Sequence, residues 1–137
     1  MEGINHTSVK HRVTQDWITE LLDNEIFVFG SNLEGLHGGG AARLALKWGA
    51  IMGQGVGLQG QTYAIPTMHG GVNEIKPYVD EFIAFAKLHP DKRFLVTEIG
   101  CGIAGFKPEE IAPLFEKAMD VENIYLPQRF LNIISEE

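Results

Sequence analysis

The stretch Ile26-Phe27-Val28-Phe29-Gly30-Ser31-Asn32-Leu33-Glu34-Gly35-Leu36-His37-Gly38-Gly39-Gly40-Ala41-Ala42 decides how this chain folds. Its first four residues are wholly apolar and rich in β-formers, the pattern of a strand buried on both faces. Its last residues, continued by Leu44, Ala45 and Trp48, read as a helix of small side chains that starts near Gly39 or Gly40. A buried strand that feeds a helix through a glycine-rich bend is the opening of a parallel, helix-covered sheet.

The same alternation extends along the chain on either side. Thr14 to Asp23 carries Trp17, Ile18, Leu21 and Leu22 in a helical stripe, so residues 1–24 are expected to form a helical segment packed on a single domain spanning 1–137. Tyr63-Ala64-Ile65 is a second strand, stopped by Pro66. Glu74 to His89 is an amphipathic helix with Ile75, Val79, Phe82, Ile83 and Ala86 on one face. Phe94 to Ile99 is a third strand. Lys107 to Met119 is a long helix with Pro108 in its first turn, and Ile124-Tyr125-Leu126 is a fourth strand. The fold class expected is α/β: a three-layer α/β/α sandwich around a largely parallel, mixed sheet. Trp17 and Trp48 are expected in its core.

With 137 residues, 45% of them hydrophobic and 21% charged, the chain has the composition of one folded domain. A net charge of −7 disfavours binding to a nucleic-acid backbone, which relies on Lys and Arg. Unbroken apolar runs such as Ile26–Phe29 fall far short of the ~20 residues that span a bilayer. The polar residues 1–12 show no signal-peptide pattern, so the cytoplasm is the expected compartment. Cys101 is the one cysteine, which rules out an intrachain disulfide.

Glycine is the outlier. Of 16 glycines, twelve lie between Gly30 and Gly71 and three more are Gly100, Gly102 and Gly105. The only charges from Gly30 to Gly71 are Glu34, Arg43 and Lys47, so this region tolerates an anion. Three successive glycines at a helix start let a phosphate approach unpaired backbone N–H groups with no Cβ in the way. The second cluster, Ile99-Gly100-Cys101-Gly102-Ile103-Ala104-Gly105-Phe106, also leaves a strand and holds no charge. Ligands of such sheets bind beyond the carboxyl ends of the strands, and both clusters fall on that rim. A small anionic, phosphate-containing partner held between two loops is the expectation. For the single glycines between Gly49 and Gly60, tight turns are an equal alternative.

Asn32 followed by His37-Gly38-Gly39-Gly40-Ala41-Ala42 resembles the first ligand loop of macrodomains, and Gly100 to Phe106 resembles their second. More narrowly, residues 26–50, 60–67 and 96–106 are similar to a small bacterial and phage family of macro-like proteins. The resemblance implies binding of ADP-ribose or a related nucleotide diphosphate, with hydrolysis of an ADP-ribosyl linkage as an attached activity. It implies that Gly30, Ser31 and Asn32 line the site. It places Asn32 at the distal ribose, Gly38, Gly39, Gly40 and Ala41 at the near phosphate, and Gly100, Cys101, Gly102, Ile103, Ala104 and Gly105 around the diphosphate. Phe106 then packs near the distal ribose. Macrodomains also supply an early aspartate that reads adenine; here Asp16 falls on the expected N-terminal helix and does not match that motif.

Asn32 and His37 are the catalytic candidates, His37 because an imidazole titrates near neutral pH. The alternative is a loop histidine bonded to backbone. A cysteine-dependent hydrolase centred on Cys101, with His37 or His69 as base, is a competing function; the plainer reading of Cys101 is a small thiol filling space beneath the loop. A third is a non-enzymatic interaction protein. Gln54, Gln59 and Gln61 either read a ligand edge or solvate a turn, and Arg43 adds attraction for an anion. The scattered histidines have no metal-ligand spacing, so neither a metal nor a cofactor is expected.

Overall fold

Along strand β2 (Glu25–Ser31) the side chains divide between two cores, Ile26 and Val28 entering one and Phe27 and Phe29 the other. The period of two sends alternate side chains to opposite faces of a sheet, and a strand covered on both faces must be apolar at every position. The same division holds on β4 (Thr62–Pro66), with Tyr63 and Ile65 against Ala64, and on β5 (Arg93–Val96), with Phe94 and Val96 against Leu95.

The computed structural model describes residues 12–135. In chain order β1 (Val13–Thr14) and β2 are followed by α1 (Gly40–Ala45), which ends in a 3-10 turn over Leu46–Trp48. Then come β3 (Gly57–Gln59), β4, α2 (Val72–Lys87), β5, α3 (Pro108–Ile111) with a 3-10 continuation over Ala112–Asp120, β6 (Ile124–Pro127) and α4 (Gln128–Ser135). The sheet order is β1-β6-β5-β2-β4-β3, parallel throughout except for β3 on β4. This is the mixed, largely parallel sheet of an α/β sandwich.

The two outer layers are unequal. On one face α2, the 3-10 helix and α4 bury Ile75, Val79, Phe82, Phe115 and Phe130 against the sheet. On the other, α1 and its 3-10 turn cover only β2 and β4, with Ala42, Ala45 and Trp48 beside Phe27 and Phe29. Over β5, β6 and β1 this second face carries no helix.

Three sequence expectations change here. The part of the N-terminal helix that falls in the described residues is absent: Val13–Thr14 pairs with β6 as an edge strand and residues 15–24 run without regular structure. Residues 1–11 lie outside the described residues. Only Ile18 of the supposed stripe is buried, while Trp17 is 87% exposed and so is not a core residue. Buried Arg12 fixes this edge by donating to the carbonyls of Met119, Val121 and Ile124. The helix expected over 107–119 splits at Ala112, because Pro113 has no N–H to continue the α-helical pattern. α4, β1 and β3 were not anticipated.

No helix among the described residues is long and apolar enough to cross a membrane.

Candidate functional site

Because β1, β6, β5, β2 and β4 are parallel, the segments leaving them emerge on one rim. The chain winds from β2 to β4 in one direction and returns through β5 and β6 in the other, so the order reverses between β2 and β5. The segment after β2 leads to α1 on one face of the sheet, and the segment after β5 leads to α3 on the other. A crevice opens between segments that diverge in this way.

That crevice holds two adjoining recesses. The inner one, about 400 Å³, is lined by Gly30, Ser31, Asn32, Leu36, Gly38 to Ala42, Thr67, Met68, Thr97 to Gly100, and Gly102 to Ala104. The outer one, about 990 Å³, is lined by residues 14–19, Phe27, Leu44, Cys101 and Pro127 to Arg129. Gly40, Ala41, Thr97, Glu98 and Gly102 border both. The outer recess lies over the half of the second face that lacks a helix.

The two glycine-rich loops meet closely. A Cβ on Gly30 would lie 3.2 Å from the Gly100 nitrogen and 3.4 Å from Ile99 Cβ, so only glycine lets the end of β2 approach the second loop without displacing its backbone. Gly100 itself has φ +75°, and a Cβ there would lie 3.1 Å from Ile111 Cδ1. Across the recess, Ile103 reaches over Gly39, where a Cβ would sit 3.3 Å from its Cδ1.

Some loop amides are spent internally. Gly35 N–H donates to the Asn32 carbonyl, Cys101 N–H to Glu98, Gly105 N–H to Gly102 and Phe106 N–H to Gly100. Among the described residues no hydrogen bond engages the N–H groups of Gly38, Gly39, Gly102, Ile103 or Ala104. Gly40 and Ala41, in the first turn of α1, have no carbonyl within the helix to meet. Donors from both loops thus border one recess. α1 spans only six residues, so the donor set consists of loop amides more than of a helix dipole.

The side chains sort differently from the sequence expectation. Gly30, Ser31, Asn32, Gly38, Gly39, Gly40, Ala41, Gly100, Gly102, Ile103 and Ala104 are brought together around the inner recess, and Cys101 borders the outer one. Gly105 borders neither. Phe106 sits half-buried under the second loop near Gly100 and against the main core, not at the recess. Asn32 spends one amide hydrogen on the Leu36 carbonyl at 3.1 Å and accepts Leu36 N–H at 2.8 Å, holding its own loop closed. One donor hydrogen and one lone pair remain for a guest.

His37 is not a base facing the recess. It is buried, its Nε2 lies 2.9 Å from the Ile51 carbonyl and 3.1 Å from that of Gln54, and its ring meets Phe29 edge-on. Two carbonyl partners require that nitrogen to carry the proton. The ring clamps the first loop to the segment that follows α1. His69 likewise approaches the Glu74 carbonyl at 2.9 Å and borders neither recess. Among the described residues Cys101 has no histidine partner, and burial, reinforced by the Glu98 carboxylate, pushes its thiol up to about 11. That is the opposite of an activated nucleophile, so the surroundings of Cys101 lend no support to a hydrolase centred on it.

Gln54 and Gln59 bond backbone groups around β3 and its flanking turns, and Gln61 donates to the carbonyls of Leu22 and Glu25 at the entry to β2. Gly49, Gly53 and Gly60 occupy turns there with positive φ, as the turn alternative expected, while Gly57, also at positive φ, opens β3. Arg43 borders neither recess.

The groups that sequence reasoning missed are Thr97, Glu98, Arg129 and the run 14–19. Arg129 Nε donates to Glu98 Oε2 at 2.7 Å and Nη2 to Oε1, a bidentate pair. The hydrogen bonds from Arg129 hold the Glu98 carboxyl below its ordinary value against the opposing effect of burial. Glu98 follows β5 and Arg129 follows β6, and only the adjacency of those strands brings them together. Asp16, two residues beyond β1, borders the outer recess beside Trp17. Comparison of the chain with protein-family models, with curated proteins and with solved structures finds no match.

Proposed function

We propose that this protein binds ADP-ribose or a related nucleotide diphosphate, with the phosphates in the inner recess and the nucleoside in the outer one. The observation that carries this reading is that unengaged amides of both glycine-rich loops border one recess at the reversal point of a parallel sheet. Each amide bond to a charged oxygen contributes roughly 1.5–3 kcal/mol, so a few together hold a diphosphate without a lysine. The outer recess offers an exposed indole at Trp17, apolar walls from Ile18, Phe27 and Leu44, and a carboxylate at Asp16. Those features suit a planar base with an exocyclic amine. The resemblance to macrodomains points the same way, and with residues 15–24 unwound, Asp16 now follows a strand and lies beside the recess. The reading is binding rather than turnover, since His37 is committed to carbonyls and Cys101 is held as a thiol.

Gly39→Glu tests it. Gly39 has extended backbone, and only the tip of Ile103 must move to admit a side chain, so the variant should melt within a few degrees of the parent. At a concentration 100 times Kd, ADP-ribose should stabilise the parent by about 2.7 kcal/mol and raise its Tm, while the variant should show no shift. Equal shifts in the two proteins would remove the first loop from the site, and no binding of ADP-ribose or ADP to the parent by calorimetry would overturn the reading.

A further inference from the structure

Glu98 is the charged side chain that borders both recesses, and it stands where they join, with Thr97, Gly40, Ala41 and Gly102. We infer that its carboxylate reads the vicinal hydroxyls of a ribose, which makes the site selective for a ribonucleotide over its 2′-deoxy and 2′-phosphorylated counterparts. This inference rests on the nucleotide reading above. In a nucleoside 5′-diphosphate the sugar lies between base and phosphates, so a ligand that spans the recesses carries its ribose past their junction.

The chemistry of the pair fits that task. Arg129 occupies one lone-pair direction on each carboxylate oxygen, and each oxygen keeps another. Two hydroxyls side by side can donate to two oxygens side by side. A carboxylate so held is a pure acceptor and stays ionised at neutral pH, as the lowered titration of Glu98 requires. Its side chain is one-third exposed, open enough to be reached by a guest. Nucleotide sites of other parallel sheets use an acidic residue for the same hydroxyl. The fixed negative charge also repels a phosphate at the 2′ position. Arg129 acts here as a positioning residue, orienting the carboxylate from the first turn of α4.

The competing account is that Glu98 and Arg129 only tie β5 to α4. Calorimetric titration of the parent, Glu98→Gln and Glu98→Ala with ADP, 2′-deoxy-ADP and 2′-phospho-ADP separates the two. The parent should bind ADP about tenfold or more tightly than 2′-deoxy-ADP, the scale of a hydrogen bond to a charged group, and should bind 2′-phospho-ADP more weakly still. In Glu98→Ala the ADP to 2′-deoxy-ADP ratio should fall towards one, mainly through weaker ADP binding, and Glu98→Gln should admit the 2′-phosphate. A tie between elements would weaken all three nucleotides alike and leave the ratios unchanged. Equal binding of ADP and 2′-deoxy-ADP by the parent overturns the inference and leaves the nucleotide reading standing, and no parental binding of ADP or ADP-ribose overturns both.

Discussion

Cys101 and Glu98 are three residues apart and border the same outer recess, yet their environments push them in opposite directions. The carboxyl is held ionised by Arg129, while the thiol is held protonated by burial and by that same carboxylate. A thiol raised from 9.0 to about 11 carries about a hundredfold less thiolate at neutral pH than an unperturbed one. Iodoacetamide labelling of Cys101 should therefore be slow at pH 7–8 and rise about tenfold per pH unit up to pH 10, as followed by mass spectrometry. A rate that levels off below pH 9 would mean an activated thiol and would revive cysteine chemistry at this site. Cys101 was conspicuous in the sequence as the one cysteine beside a glycine loop. What the sequence withheld was the sign of the field around it, which depends on Glu98 and Arg129 meeting from separate strands.

The two glycine-rich loops were readable because their chemistry is local. A glycine-rich bend after a wholly apolar strand announces both the strand and the recess beyond its end, and β2, β4, β5 and β6 all lie where their apolar runs place them. The stretch from Thr14 to Asp23 misled because its apolar spacing fits a helix, while what governs it is non-local: β6 offers an edge, and Arg12 locks onto the carbonyls around Met119 to Ile124. α4 was missed although Phe130, Leu131 and Ile134 follow a helical spacing, because its eight residues give only two turns in which that spacing can repeat. The first loop also depends on a partner out of sequence reach, the segment 51–54 that receives His37. His37→Ala removes one hydrogen-bond donor from the Ile51 and Gln54 carbonyls, which keep Gln54 N–H and Gln59 Nε2. It also opens a void against Phe29, so it should cost about 2–4 kcal/mol in urea unfolding, most of it from the void. Hydrogen exchange at amides 33–40 should quicken more than at β4 or β5. Uniform acceleration across the sheet would show that the ring supports the fold at large and not the loop.

Seen entire, the molecule places its bulk on one side of the sheet. Phe82, Phe94, Phe115 and Phe130 pack in a chain of aromatic contacts there, while the opposite side is walled by α1 at one end and by the unstructured run 15–24 at the other. Trp17 stands on that run, 87% exposed beside the outer recess. An indole in that setting is a stacking platform, and a base laid on it should quench its fluorescence. Titration with ADP-ribose should lower the emission of the parent, and Trp17→Phe should lose most of that change, since the half-buried Trp48 packs behind Phe27 and does not itself border the recess. Trp17→Ala should weaken ADP-ribose about tenfold and leave ribose 5-phosphate unaffected. Equal losses for both would show that the base does not rest on Trp17.

The lopsided layering has an evolutionary corollary. Stability resides in the aromatic-rich half, and the walls of the cleft are drawn from short loops and a run with little regular structure. Substitutions at the open positions of those walls, such as Gly38 and Gly102, where a Cβ would meet nothing within 4 Å, therefore come at small thermodynamic expense, so descendants of this scaffold can reshape the cleft while their foundations stay put.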